Sequence, residues 1–161
     1  MRLSLAGAEI EYRPALYTPE KAAALYQSLL RPSELAWRCD AIELFGRQVR
    51  QPRLTVWVAD AAITYSYSGI TMSPQPWTPV LSDIRRKLET HVGCKFNSVL
   101  INQYRDGSDY MGWHRDNERE LGLQPVIATL SLGATRSFDL RHMEYRDNGL
   151  PIQRSSCSRV I

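Results

Sequence analysis

His114 and Asp116 stand two residues apart at the end of the run Asn102-Gln103-Tyr104-Arg105-Asp106-Gly107-Ser108-Asp109-Tyr110-Met111-Gly112-Trp113-His114-Arg115-Asp116. On a strand or an extended loop, residues i and i+2 project to the same side. An imidazole and a carboxylate so placed can converge on one divalent ion. A lone His-x-Asp is a weak signal, because such triplets arise by chance and a surface His beside an Asp needs no metal. Its weight comes from what precedes it. From Lys95 to Tyr104 the chain alternates, with Phe96, Ser98, Leu100, Asn102 and Tyr104 on one face and Asn97, Val99, Ile101 and Gln103 on the other. This predicts a strand that carries the Asn102 amide and the Tyr104 phenol together toward the turn Arg105-Asp106-Gly107-Ser108. Polar groups that share a face with Phe96 and Leu100 need partners, and a bound oxygen-rich ligand is one way to supply them.

The elements around this stretch follow from local pattern. Residues 3–13 alternate briefly and end at Pro14, which predicts one short strand. Thr18-Pro19-Glu20 supplies a hydroxyl cap, a proline at the first helical position and an acid in the first turn. Ala22, Leu25, Tyr26, Leu29 and Leu30 then recur at helical spacing, so a helix should run to about Arg31. Thr78-Pro79 opens a second helix with Val80, Leu81, Ile84, Leu88 and Val92 apolar and Gly93 as its stop. His91 in its last turn is accounted for by the helix dipole. Ala41–Phe45 and Arg53–Val58 flank Gly46-Arg47-Gln48-Val49-Arg50-Gln51-Pro52, which predicts a hairpin with a basic tip. Its arginines suit either a phosphate backbone or plain solvation. Ala62–Gly69 places Ile63, Tyr65 and Tyr67 on one side of a strand. The two tyrosines are a stacking platform for a flat ligand or ordinary half-buried strand aromatics. Val126–Gly133 and Ser137–His142 predict two further strands, and Asp147-Asn148-Gly149 a hairpin turn.

The bulk numbers bound the class. At 161 residues, 43% hydrophobic and 23% charged, the chain has enough apolar material for one domain with its own core. A formal charge of +3 permits a nucleic-acid partner without arguing for one. Three widely spaced cysteines, Cys39, Cys94 and Cys157, form no CxxC. They imply neither a disulfide framework nor a zinc knuckle and suit a reducing setting, cytoplasmic in a bacterium or nuclear in a eukaryote. No run of 18 apolar residues and no secretory leader is read, so no membrane partner is expected.

Several segments together resemble one family: Leu44-Phe45-Gly46, Thr64–Gly69, Ser73–Trp77, Phe96–Tyr104, His114–Glu120 and Ile127–Gly133. They are similar, in order, to the AlkB family of Fe(II)- and 2-oxoglutarate-dependent dioxygenases, in particular its double-stranded-DNA repair branch. The resemblance implies an α+β, mainly β fold, a double-stranded β-helix (jelly roll) with flanking N-terminal helices. It implies Fe(II) held by two His and one carboxylate, with 2-oxoglutarate as co-substrate. By resemblance His114 and Asp116 match metal ligands and catalytic residues, and Asn102 and Tyr104 match the residues that contact 2-oxoglutarate. Tyr65, Tyr67, Ser68 and Glu118 match the pocket for a flipped, N-alkylated base. Phe45 matches the finger that fills the vacated stack, and Arg47, Arg50 and Arg53 would hold phosphates. The implied reaction is oxidative dealkylation of bases in DNA by a monomer, with RNA as the alternative substrate.

The family pattern also departs from this chain. The second metal His and the arginine pair for the distal carboxylate belong farther downstream, so the resemblance implies one domain, 1–161, incomplete at its C-terminus and lacking its final core strands. His142 falls on no ligand position, Arg154 and Arg159 are one residue off the arginine spacing, and Ser155–Ile161 does not read as the family's strand. A second class of function therefore stands beside the enzyme, a non-catalytic nucleic-acid-binding remnant that uses the basic hairpin.

Overall fold

Thr18 and Thr78 begin the two helices found among the described residues by the same device. The computed structural model describes residues 1–157 apart from 6, 45, 62, 64, 68–69, 73, 117–120 and 143–152, with the backbone alone for 4–5, 43–44, 65–67, 70–72 and 153–157. Helix α1 (Pro19–Leu29) starts where Thr18 Oγ1 accepts the Lys21 amide at 3.3 Å, and it buries Ala22, Leu25 and Leu29. Helix α2 (Pro79–Val92) starts where Thr78 Oγ1 accepts the Leu81 amide, and it ends at Gly93, whose left-handed φ of 78° lets its N–H reach Glu89 O at 2.8 Å. Both helices lie where the capping signals put them. His91 lies 2.8 Å from Lys87 O through Nδ1, a local helical contact. No helix among the described residues is long and apolar enough to cross a membrane.

Among the described residues the strands form five two-stranded antiparallel sheets, so the described fold is α+β and mainly β. The contacts divide it into two units, 1–26 with 130–160, and 27–129. In the first, β1 (Arg2–Leu5) pairs with β2 (Ala8–Glu11). The single strand expected over 3–13 is thus a hairpin, because Gly7 takes φ 74° and reverses the chain where period-2 alternation alone would have carried it on. Also in this unit, β9 (Arg136–Leu140) pairs with β10 (Gln153–Cys157). The strand expected over 137–142 is therefore present, and the terminal segment also supplies one. The expected Asp147–Gly149 turn lies outside the described residues.

In the second unit, β3 (Ala41–Leu44) pairs with β4 (Arg47–Arg50), with Leu44 opposite Arg47. This corrects the expected hairpin. The arginine segment is itself the second strand, turned by Gly46 at φ 72°, and Arg53–Val58 does not belong to it. Instead β5 (Leu54–Ala59) pairs with β8 (Ser98–Gln103), Thr55 facing Asn102 and Trp57 facing Leu100. The other edge of β5 is covered as well: Arg38 and Thr55 exchange backbone hydrogen bonds at 3.0 and 2.8 Å, and the Gln75 amide donates to Trp57 O at 2.9 Å. A strand flanked on both edges becomes the core. Val56, Trp57 and Val58 are all buried, Trp57 grouping with Ala59 and Ile63.

Of the strand expected over 62–69, residues 65–67 form β6 (Tyr65–Tyr67), paired with β7 (Ile70–Met72), and 62, 64, 68 and 69 lie outside the described residues. The strand expected over Val126–Gly133 does not form. Val126 and Ile127 are exposed, and the segment finds no ladder partner among the described residues, without which alternation cannot become a strand.

A charge network fixes α2 to the strand end. The Arg85 guanidinium spans Asp60 at 2.7 and 3.2 Å, reaches Glu89 Oε1 at 3.2 Å and lies over the Trp77 ring. Glu89, its side chain 8% exposed, also accepts from Lys95 Nζ at 2.8 Å and the Phe96 amide at 3.0 Å. The Lys95 ammonium first, then the Phe96 N–H, hold its pKa at about 2, below the ordinary 4.5. Because the folded value is the lower one, this stabilisation is complete above pH 4.5 and is lost as pH falls from 4.5 toward 2. Glu89→Gln is expected to lower the urea midpoint at pH 7 and to flatten its fall across that window. An acid limb as steep as wild type would exclude Glu89 as a source of it.

Candidate functional site

The approach to His114 is tied down before the chain reaches it. Asp109, 2% exposed, takes three hydrogen bonds from Arg105: from its amide and its Nε onto Oδ2 at 2.9 and 2.7 Å, and from Nη2 onto Oδ1 at 2.8 Å. The same carboxylate holds the Arg105 pKa above its ordinary value. Asp106 Oδ1 accepts the Ser108 amide at 2.8 Å and the Ser108 hydroxyl at 2.5 Å, which closes the Asp106–Ser108 turn and lowers the Asp106 pKa. The Tyr110 amide donates to Pro52 O at 2.9 Å, so the turn is anchored beside the start of β5.

From that anchor the chain runs as an open loop through 111–116. The His114 Nδ1 lies 2.9 Å from Gly112 O. A carbonyl oxygen only accepts, so Nδ1 carries a proton, and in the neutral ring the lone pair is then on Nε2. Nε2 then lies 3.5 Å from Asp116 Oδ1, and both side chains are partly open to solvent. Two donors at that separation can both lie roughly 2.1 Å from one ion. Orienting an imidazole by a hydrogen bond from its other nitrogen to a carbonyl is how metal-binding histidines are commonly held. The donor set therefore fits a metal at two positions. Among the described residues no group of three His, Cys, Asp or Glu comes together, so a third ligand is not placed.

Asn102 lies on β8 as expected, while Tyr104 is one residue past the strand's end. The Arg53 Nε donates to Asn102 Oδ1 at 3.0 Å, and Arg53 is 5% exposed. This changes the reading of Arg53, grouped above with Arg47 and Arg50 as a phosphate contact. Arg47 and Arg50 lie exposed on β4, whereas Arg53 precedes β5 and is buried. Arg53 lies one residue before β5, and Thr55, two residues on, stands opposite Asn102, which brings the guanidinium close to the amide.

Tyr65 and Tyr67 share a face of β6 by backbone position. Phe45, Ser68 and Glu118 lie outside the described residues. Sequence reasoning missed two partnerships, Arg53 with Asn102 and Arg105 with Asp109. The second had a signal, a cation and a carboxylate four residues apart across an Asp-Gly turn.

The comparisons bear on this geometry. The family model described as the 2OG-Fe(II) oxygenase superfamily matches residues 9–157. The chain is 39% identical over 146 residues to the DNA oxidative demethylase ALKBH2 of Bos taurus, covering 90% of this chain and 52% of that protein. It is 42% identical over 132 residues to ALKBH2 of Homo sapiens, covering 81% and 51%. With the human alpha-ketoglutarate-dependent dioxygenase alkB homolog 3 it shares 48% identity over 93 residues, covering 57% and 32%. The chain thus spans about half the length of the ALKBH2 relatives it matches.

Proposed function

Since the chain belongs to the AlkB family of the 2OG-Fe(II) oxygenase superfamily, we propose that it oxidatively dealkylates N-alkylated bases in DNA with Fe(II) and 2-oxoglutarate. The observation that carries this reading is the convergence of His114 Nε2 and Asp116 Oδ1, 3.5 Å apart, with the imidazole tautomer fixed by Gly112 O. We read the small antiparallel sheets as strands of that superfamily's jelly roll, forming one domain.

In this account His114 and Asp116 hold the metal as two of three protein ligands, and the Asn102 amide and Tyr104 phenol hold 2-oxoglutarate. When bound, these groups would supply an oxidation by O2 in which one oxygen atom converts 2-oxoglutarate to succinate and carbon dioxide and the other hydroxylates the N-alkyl carbon, after which the hydroxylated alkyl group leaves as an aldehyde and the base keeps its nitrogen. No protein general base is needed. The chain's own task is to position and to exclude water. Tyr65, Tyr67, Ser68 and Glu118 receive the flipped base, whose extraction costs a few kcal/mol and is offset by stacking. Phe45, which lies between β3 and β4 in the sequence, fills the gap left in a duplex, and the exposed Arg47 and Arg50 contact phosphates.

Incubated with Fe(II), 2-oxoglutarate and a methylated DNA duplex, the chain is expected to form succinate and formaldehyde in equal amounts, and Asp116→Ala to form neither. Succinate no higher than in the Asp116→Ala control would refute the reading. Parallel single-stranded DNA and RNA substrates assign the preferred nucleic acid. The exposure of β4 favours one second reading, a non-catalytic nucleic-acid binder, under which DNA binding is salt-dependent and indifferent to metal.

A further inference from the structure

Arg53 is the only buried cation among the described residues, and its neighbours hold its backbone still. The Gln51 amide donates to Asp40 O at 2.9 Å, the Arg53 amide to Gln51 O at 2.9 Å, and Pro52 O accepts from Tyr110. From this fixed point its Nε meets Asn102 Oδ1 at 3.0 Å. The two ends of a primary amide are nearly the same size and opposite in function, so something must decide which end faces a ligand. Guanidinium has donors and no acceptor. It can therefore pair only with the oxygen of Asn102, which leaves the Nδ2 donors for whatever lies beyond. A reversed amide would set donor against donor at Arg53 and offer an acceptor to an anionic ligand. The positive charge on Oδ1 also polarises the amide and strengthens Nδ2 as a donor.

We propose that Arg53 is a positioning residue of the 2-oxoglutarate site, holding Asn102 Oδ1 so that Nδ2 is presented to a carboxylate oxygen of the co-substrate. This rests on the reading of Asn102 as a 2-oxoglutarate contact, and it removes Arg53 from the phosphate-binding set. The two roles differ in what lysine can do. A lysine serves a phosphate as a point charge, but it lacks the planar Nε–H that meets Asn102.

The experiment measures two affinities on the full chain: 2-oxoglutarate by calorimetry in the presence of Mn(II), and a fluorescent DNA duplex by anisotropy. Arg53→Met and Arg53→Lys are both expected to weaken 2-oxoglutarate about tenfold or more, the loss of one hydrogen bond to a charged group, and to leave DNA affinity unchanged. Arg47→Ala is expected to do the reverse. In an Asn102→Ala background Arg53→Met should cost nothing further, because the two residues act as one unit. Loss of DNA affinity rescued by Arg53→Lys, or a loss of 2-oxoglutarate affinity that adds fully to that of Asn102→Ala, would overturn the proposal. Asn102→Ala binding 2-oxoglutarate like wild type would remove the reading beneath it as well, so the two failures are distinct. Should the Arg53 variants not fold, Asn102→Asp decides the matter. It keeps an acceptor for Arg53 and deletes Nδ2, so it should fold and lose 2-oxoglutarate; undiminished binding by this variant overturns the proposal.

Discussion

Replacing His114 with alanine is expected to lower Mn(II) affinity beyond the roughly 10–100-fold seen when only an outer partner of a ligand is removed. Nε2 and Asp116 Oδ1 are 3.5 Å apart, and the Gly112 carbonyl already orients the imidazole through Nδ1 so that Nε2 faces the carboxylate. An ion that gains two donors from one short loop loses the chelate when either goes. Asp116→Ala should therefore be nearly as damaging, and the double variant scarcely worse than either single one. Titrating the free Mn(II) signal against each protein reads the result. Equal binding by wild type and His114→Ala would dispose of the metal site. Neither residue is buried, so both variants should keep the wild-type thermal midpoint, which separates loss of metal from loss of fold.

The second large effect lies in the sheet that carries Asn102. Trp57→Ala is expected to cost about 3–5 kcal/mol of stability, the range for truncating a large buried aromatic. Trp57 is 4% exposed, lies between neighbours on both edges of β5, and stands opposite Leu100, two residues from Asn102 on the same face. Its loss opens a cavity under the strand pair that sets Asn102 and Arg53 against each other. Urea unfolding at neutral pH gives the number. A cost below about 1 kcal/mol, the level of ordinary surface changes or little more, would mean that β5 is not the core of its unit.

Much of this was legible in the residues, for identifiable reasons. Helix starts and stops are local chemistry, so Thr18, Thr78 and Gly93 marked α1 and α2 without tertiary information. Period-2 alternation marked β8 and put Asn102 on a definite face. The i, i+2 relation brought His114 and Asp116 together although a loop carries them. What sequence did not reveal was pairing. The run after Gly46 has no feature that says whether it is a loop or a strand, and only the register shows Arg47–Arg50 folded back on β3. Val126–Gly133 alternates as well as β8 does, yet alternation records a capacity for a ladder and says nothing about a partner. Arg53 was grouped with two other arginines by proximity in sequence, and burial separated it from them.

The claim at the centre of this account is that His114 and Asp116 form a metal site coupled to a 2-oxoglutarate site through Asn102. It is tested most directly by titrating Mn(II) into the unaltered chain with and without 2-oxoglutarate. The account predicts saturable binding at one site, tighter when 2-oxoglutarate is present, and by linkage a 2-oxoglutarate affinity raised by metal in the same ratio. Absence of saturable binding, or binding indifferent to 2-oxoglutarate, would contradict it.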